Sequence, residues 1–152
     1  MRTFTDNAGR SWTLAINVDT IRRVRSLVDV DLLQAVEGKL IERLAADPIL
    51  LCDVIYVICK PEADQRSISD EEFGRGMAGD AIELATTSLL EELVDFFPKS
   101  RRQLLSKALA KFRHLESKAI ELVDQQLDDP QLEQTLISQL QRRLSEPVTF
   151  GV

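Results

Sequence analysis

Histidine and cysteine, the usual metal ligands and nucleophiles, are almost missing from this sequence. Its 152 residues include one histidine, His114, and two cysteines, Cys52 and Cys59. The chain lacks the residues for a metal site built from histidines, and for any Cys–His or Ser–His catalytic pair that does not use His114. The two cysteines lie in a segment predicted to be helical, about 10 Å apart along its axis, which is too far for a disulfide. We expect small buried apolar residues in a reducing compartment.

A long apolar run is also missing. No stretch approaches the roughly 20 uncharged apolar residues that a membrane-spanning helix needs. The first residues, MRTFTD, lack the apolar centre of a signal peptide. Hydrophobic residues nevertheless make up 44 % of the chain and charged residues 29 %, which is the balance of a folded globular protein. We therefore expect a folded cytoplasmic protein with no membrane partner.

Basic residues are scarce in one part of the chain and acidic residues in the next. Residues 62–96 contain ten Asp or Glu and two Arg, a net charge of −8, whereas residues 99–118 contain seven Lys or Arg and one Glu, a net charge of +6. This asymmetry predicts contact between the two segments, or between each of them and a partner. A basic helix can also bind nucleic acid, but the overall charge of −6 and the single aromatic residue of that segment, Phe112, favour no nucleic-acid partner.

The pattern of apolar residues predicts a mainly α protein with a small N-terminal β-hairpin. Residues 4–6 and 11–17 alternate around the turn Asn7–Arg10, which places Trp12, Leu14 and Ile16 on one face. A helix capped by Asp19 follows, then one from Asp29 or Asp31 to Leu44. Residues 48–59 are apolar nearly all round, which indicates a central buried helix, with a buried strand as the alternative. Lys60-Pro61 ends this element and a polar loop leads to Ser69, where a helix is predicted to begin; another is predicted from Asp80 to Phe97.

The C-terminal third predicts two further helices. Apolar residues spaced by three and four, as in a heptad seam, occupy positions 105, 108, 112, 115, 119 and 122. Asp129-Pro130 ends this helix, and leucines recur at every fourth residue from Leu132 to Leu144. We therefore predict a helical bundle plus a C-terminal helical hairpin or arm, divided into a hairpin-plus-helical core domain at residues 1–98 and the arm at residues 99–152.

One segment matches a cofactor motif by its letters. Residues 74–79 read GRGMAG, the G-x-G-x-x-G pattern of dinucleotide-binding sites, but that fingerprint follows a buried strand, and here a polar helical segment precedes it. A flexible or closely packed junction between helices is the preferred interpretation. Adjacent carboxylates such as Glu91 and Glu92 point in different directions on a helix. We predict no catalytic, metal or cofactor site, and therefore a protein that is not an enzyme.

The order of elements resembles a known family. The resemblance depends on four segments: the hairpin at residues 4–16 (FTDNAGRSWTLAI), a short helix, the helix at residues 47–61 (DPILLCDVIYVICKP) and the helix that begins with residues 69–73 (SDEEF). Over roughly residues 3–97 the chain resembles the small tail assembly chaperones of long-tailed bacteriophages and gene-transfer-agent-like particles. The resemblance implies a non-enzymatic protein of the host cytoplasm that covers the helical tape-measure protein until the tail tube grows around it.

Contact sites for such a helical partner are expected where apolar faces lie open. We predict Phe112, Leu115 and Leu122 on the arm, and the hairpin edge near Trp12, as partner-binding residues. A homo-oligomer formed through the same faces stays open. Two alternative functions also stay open: a structural or connector protein of the virion, and a helical protein–protein adaptor outside any phage.

Overall fold

In the computed structural model, which describes residues 1–36 and 39–146, the chain is mainly α with an N-terminal antiparallel hairpin, as predicted. Packing divides it into two compact units, Met1–Leu109 and Ala110–Val152. The elements of the described residues are β1 (Arg2–Thr5), β2 (Ser11–Leu14), α1 (Val18–Val28), a 3-10 helix (Leu32–Ala35), α2 (Leu40–Ala46), α3 (Pro48–Ile58), α4 (Lys60–Gln65), α5 (Asp70–Arg75), α6 (Asp80–Phe96), α7 (Lys99–Leu127) and α8 (Pro130–Ser145).

The hairpin belongs to the core of the first unit. Its register pairs Phe4 with Trp12 and Arg2 with Leu14, and Phe4, Trp12 and Leu14 are buried. The turn needs Gly9, whose φ of 78° lies in the left-handed region. Strand β1 packs along α6, so the apolar face that alternation predicts is covered by a helix.

Two predicted helix boundaries are wrong. Helix α1 is capped by Asn17, whose side chain accepts a hydrogen bond from the Thr20 amide, while Asp19 lies inside the first turn. The single helix predicted from Asp29 or Asp31 to Leu44 is instead a 3-10 helix capped by Asp31 and the separate helix α2. Each short element buries its own apolar residues, so no continuous helix is needed to cover them. The part of the predicted helix at residues 37 and 38 lies outside the described residues.

Helix α3 is the centre of the first unit and packs against α1, α2, α5 and α6. Asp47 caps it by accepting hydrogen bonds from the Ile49 and Leu50 amides, both at 3.1 Å, and Pro48 opens it. The helical prediction for residues 48–59 is therefore right and the strand alternative is wrong. The polar loop predicted between Lys60-Pro61 and Ser69 is wrong in its first part, because α4 begins at Lys60: proline fits the first turn of a helix, where its missing amide has no intrahelical partner.

The remaining boundaries agree closely with the sequence signals. Ser69 caps α5 by accepting a hydrogen bond from the Glu72 amide at 3.2 Å, and Asp129 caps α8. Helix α6 ends one residue before the predicted Phe97. Helix α7 begins in the first unit, where Leu105 and Leu109 are buried. The division of the chain at residues 98 and 99 stays a prediction, and the boundary between the two units lies eleven residues further on.

Candidate partner-binding surfaces

A buried carboxylate, Asp6, anchors the hairpin turn. Its Oδ1 accepts hydrogen bonds from the Ala8 and Arg10 amides, each at 2.9 Å. Its Oδ2 accepts from Trp12 Nε1 at 2.9 Å and from Arg10 Nε at 3.0 Å. Burial raises the pKa of Asp6, but the hydrogen bonds from Trp12 and Arg10 and the charge of Arg10 lower it by more, so its pKa lies below the ordinary 3.8.

The glycine motif at residues 74–79 forms the junction that receives this turn. The segment before its first glycine is helix α5, where the dinucleotide fingerprint needs a strand. A Cβ added at Gly76 would lie 3.0 Å from Asp6 Oδ2. The Asn7 amide donates to the Gly76 carbonyl oxygen at 2.9 Å, and Asn7 Nδ2 donates to the Ala78 carbonyl oxygen at 3.0 Å. Gly76 therefore allows close packing between the hairpin turn and the helix junction.

The side chain of Trp12 is not open to a partner, which corrects the prediction of an exposed contact at this residue; a contact along the hairpin edge near it stays a prediction. Its side chain is fully buried. Its ring meets the Phe73 ring edge to face at 5.1 Å, and the Arg66 guanidinium lies 5.1 Å from its centroid. Alternation along the strand identified the apolar face, but the residues that cover that face lie more than fifty positions further along the chain.

The acidic segment contacts the N-terminal strand. Arg2 forms ion pairs with Glu91 at 2.9 Å, with the buried Glu92 at 3.0 Å and with Asp95 at 2.8 Å. The amino group of Met1 also pairs with Glu92. The hydrogen bond that Arg2 donates to Asp95 is the main cause that raises the pKa of Arg2. The charge asymmetry predicted that the acidic segment would contact the basic segment or a partner. At these three acids the positive group is instead Arg2 of strand β1.

The groups that could carry chemistry are dispersed. Within residues 1–36 and 39–146, no cluster of three or more His, Cys, Asp or Glu side chains has the geometry of a metal site. His114 is exposed on α7. Burial, aided by the charge of Glu62, raises the pKa of the Cys59 thiol to about 12. Burial and then the charge of Asp53 also raise the pKa of Cys52, which is only half-buried.

The thiols therefore differ in reactivity. At pH 8 a thiol with a pKa of about 12 is ionised in roughly one molecule in ten thousand, and Cys59 is also buried. We expect Ellman's reagent to modify one thiol per native chain, with Cys52→Ser removing that reaction and Cys59→Ser leaving it unchanged. In denaturant both thiols should react. Rapid modification of two thiols in the native protein would contradict this arrangement.

A groove of about 270 Å³ opens on the first unit beside α3. Its floor is apolar and includes Cys52, Phe73 and Met77, and Asp53 and Asp70 lie among its lining residues. Burial raises the pKa of Asp53, and the negative charges of Asp47 and Asp70 raise it further. Ile49 at this groove is 75 % exposed, so the predicted burial of α3 on every side fails at its first turn.

The second unit carries an open apolar surface on helix α7. We define the α7 stripe as five residues of helix α7: Phe112, Leu115, Ala119, Leu122 and Val123. They share one helix face because about 100° separates consecutive residues. Phe112 is half-buried and the other four are exposed. Ile120 and Leu127 are also exposed, but they lie roughly 40–60° further around the helix than Val123. The predicted contacts Phe112, Leu115 and Leu122 are thus brought together on one surface.

Helix α8 adds a second open surface. In the described part of the chain it has no buried residue. We call the α8 stripe its four leucines, Leu132, Leu136, Leu140 and Leu144, of which the last three are exposed. A helix of this length gains little stability in water without an apolar face packed on a partner. Both stripes therefore have the character of binding surfaces.

Comparisons with protein-family models, with curated proteins and with solved structures find no match to this chain. The functional interpretation consequently depends on the surfaces themselves. In the described residues, no helix combines the length and the hydropathy that crossing a bilayer requires.

The heptad pattern missed part of the α7 stripe. Val123 falls outside the three-and-four spacing that identified Leu115 and Leu122, yet it widens the same face. The sequence contained this information, because a helix face wider than the two apolar positions of a heptad has further apolar residues beside those positions. The groove near Asp53 had no such signal, because its lining comes from separate elements.

Proposed function

We propose that this chain is a non-enzymatic protein that binds an apolar helical segment of another protein through the stripes of its second unit. The more specific form of the proposal is a phage tail assembly chaperone, acting in the host cytoplasm on the tape-measure protein. One observation carries it: the exposed apolar residues of α7 and α8 form continuous helix faces instead of isolated positions.

The physical case is that of a helix in an apolar groove. Covering a leucine side chain that was exposed recovers about 1.5–3 kcal/mol when burial is complete. Leu115 and Leu122 are each more than half exposed, so a partner helix laid on the α7 stripe would gain a substantial part of this from each. A tape-measure protein, long and helical with apolar stripes of its own, offers the complementary surface.

The charges beside the stripes support a macromolecular partner of mixed charge. Residues 111–118 contain three basic residues and one acid, and residues 121–133 contain five acids and no base. An apolar face bordered by charge gives register to a helix that docks on it, and unmatched charges oppose other partners. No reactive side chain is needed for this function.

The experiment is a co-expression of this protein with the tape-measure protein that the proposal predicts to be encoded beside it, followed by affinity capture. We expect the pair to be recovered together, and Leu115→Gln with Leu122→Gln to weaken the binding about tenfold to a hundredfold, because the apolar contact of two leucines is lost. The control replaces two matched leucines of the first unit, Leu84→Gln with Leu104→Gln: they are 54 % and 60 % exposed, against 57 % and 59 % for Leu115 and Leu122.

Equal recovery with both pairs of substitutions would show that the α7 stripe is not the contact. Failure of the wild-type protein to capture the neighbour would overturn the tape-measure assignment. Purified particles separate a chaperone from a virion component: the proposed chaperone is absent from them, and its presence there would favour a structural or connector protein.

A further inference from the structure

We infer that the groove beside α3 is a second docking site, whose occupant is a segment of another protein in which a large apolar side chain stands next to a Lys or Arg. The groove lies on the first unit, so this inference does not depend on the stripes of the second unit. It rests on the apolar floor of the groove, on the exposed side chain of Ile49 and on two carboxylates among the lining residues.

The floor of the groove is held in place by contacts within the core. The Tyr56 and Phe73 rings lie 5.4 Å apart between centroids, and the Tyr56 hydroxyl donates a hydrogen bond to the Ile68 carbonyl oxygen at 3.3 Å. An apolar pocket whose walls are already fixed loses little conformational freedom when it is filled. The apolar lining residues are Ile49, Cys52 and Tyr56 of α3, Phe73 of α5, Met77, and Ile82 of α6.

The size of the groove favours a side chain over a free small molecule. Its volume of about 270 Å³ is below the roughly 300–1,000 Å³ of pockets that enclose small ligands. The apolar surface also continues past it, because the side chain of Ile49 is 75 % exposed. A ligand confined to the groove would leave Ile49 in water, whereas a polypeptide that inserts one side chain would cover Ile49 with the next residue.

The charge of the lining gives the occupant its sign. Asp53 and Asp70 line the groove and are exposed, and among the described lining residues there is no Lys, Arg or His. In the same part of the chain neither carboxylate takes part in an ion pair. Burial, and then the negative charges of Asp47 and Asp70, raise the pKa of Asp53. A cation beside Asp53 is therefore attracted by several carboxylates, and an anion is repelled.

The two parts of the site have different effects on binding. Removing one large side chain and Ile49 from water provides most of the affinity, whereas exposed charges contribute little but discriminate between partners. Because the buried surface is small, we expect a short peptide to bind with a dissociation constant on the order of 0.1–1 mM. A longer partner would add contacts outside the groove.

The test compares three peptides of the same length on the full chain by ¹⁵N NMR. The probe is Gly-Lys-Leu-Phe-Lys-Gly, acetylated and amidated at its ends. One control replaces both Lys by Glu, and the other replaces Leu and Phe by Ser. We expect the probe to shift the amide signals of the residues that line the groove, and each control to bind at least about tenfold more weakly, because it lacks either the charge or the apolar contact.

Substitution of the two carboxylates tests the charge. Asp53→Asn with Asp70→Asn should weaken binding of the probe about fivefold and reduce its preference over the Glu peptide. Both side chains are exposed, so the fold should be retained, which the NMR spectrum itself reports. The matched control, Asp19→Asn with Asp29→Asn, removes the same charge from the two ends of α1, which does not line the groove, and should leave binding within about twofold.

The thiol of Cys52 gives a second readout, because it lines the groove. A saturating concentration of the probe should slow the modification of Cys52 by the uncharged reagent N-ethylmaleimide by at least about threefold, since a filled groove limits access to the thiol. Equal binding of the three peptides, or no shift at the groove with the probe at about 5 mM, would overturn the inference. An unchanged rate at Cys52 with the probe bound would place the peptide elsewhere and would also overturn it.

Discussion

Asp6→Ala should lower the free energy of unfolding by about 3–5 kcal/mol, a large part of the total stability of a domain of this size. The carboxylate is buried and accepts four hydrogen bonds, two from amides of the turn and two from the side chains of Trp12 and Arg10. Its removal leaves these donors without an acceptor inside the protein. Urea unfolding followed by circular dichroism measures the loss.

The control for this substitution is Asp64→Ala. Asp64 pairs with Lys60 at 3.2 Å, but both side chains are exposed, so the expected change is below about 0.5 kcal/mol. The dependence on pH gives a second readout. Because the pKa of Asp6 is lowered in the folded state, its contribution is present above the ordinary value and is lost as the pH falls through the lowered pKa. The stability difference between wild type and Asp6→Asn should therefore shrink in acid. A constant difference would contradict the lowered pKa.

Trp12→Ala should be comparably destabilising, by about 3–5 kcal/mol. The ring is fully buried and packs on Phe73, so its loss leaves a cavity between the hairpin and α5. Trp12→Phe keeps an aromatic ring there but removes the N–H that donates to Asp6, and should cost about 1–3 kcal/mol. Circular dichroism at several urea concentrations measures both.

Phe112→Ala is the matched control for an aromatic residue at the surface. Phe112 lies on the α7 stripe and is half-buried, so its removal should change stability by less than about 1 kcal/mol. If Trp12→Ala were as mild as Phe112→Ala, the hairpin would not be part of the core. A loss of stability confined to Trp12→Ala would agree with the correction of its predicted role.

The elements that sequence reasoning located well are those with a local signal. Asp47-Pro48, Ser69 and Asp129-Pro130 each place a capping side chain within three residues of the amides it caps, so the chemistry is visible in a short window. The prediction of one long helix ending at Leu44 was wrong because periodicity alone does not distinguish one helix from two short ones that bury the same face.

The parts that could not be predicted depend on distant residues. Asp6 and Gly76 are seventy positions apart, and nothing in the sequence around either residue predicts that the two are in contact. Trp12 was predicted to be accessible because the hairpin has a free edge, but Phe73 and Arg66 cover its ring. The α7 stripe was predictable, because helical spacing determines which residues share a face. The same spacing does not identify the molecule that binds to that face.

The contacts of the hairpin turn have a consequence for the order of events during synthesis. Asn7 and Arg10 bind to residues 72–78, and β1 lies along α6. A ribosome adding 5–20 residues per second needs on the order of 3–14 s to make the roughly seventy residues between them. During that interval the surface that the two strands pack against has not yet been synthesised. The hairpin is therefore translated first but reaches its native contacts late.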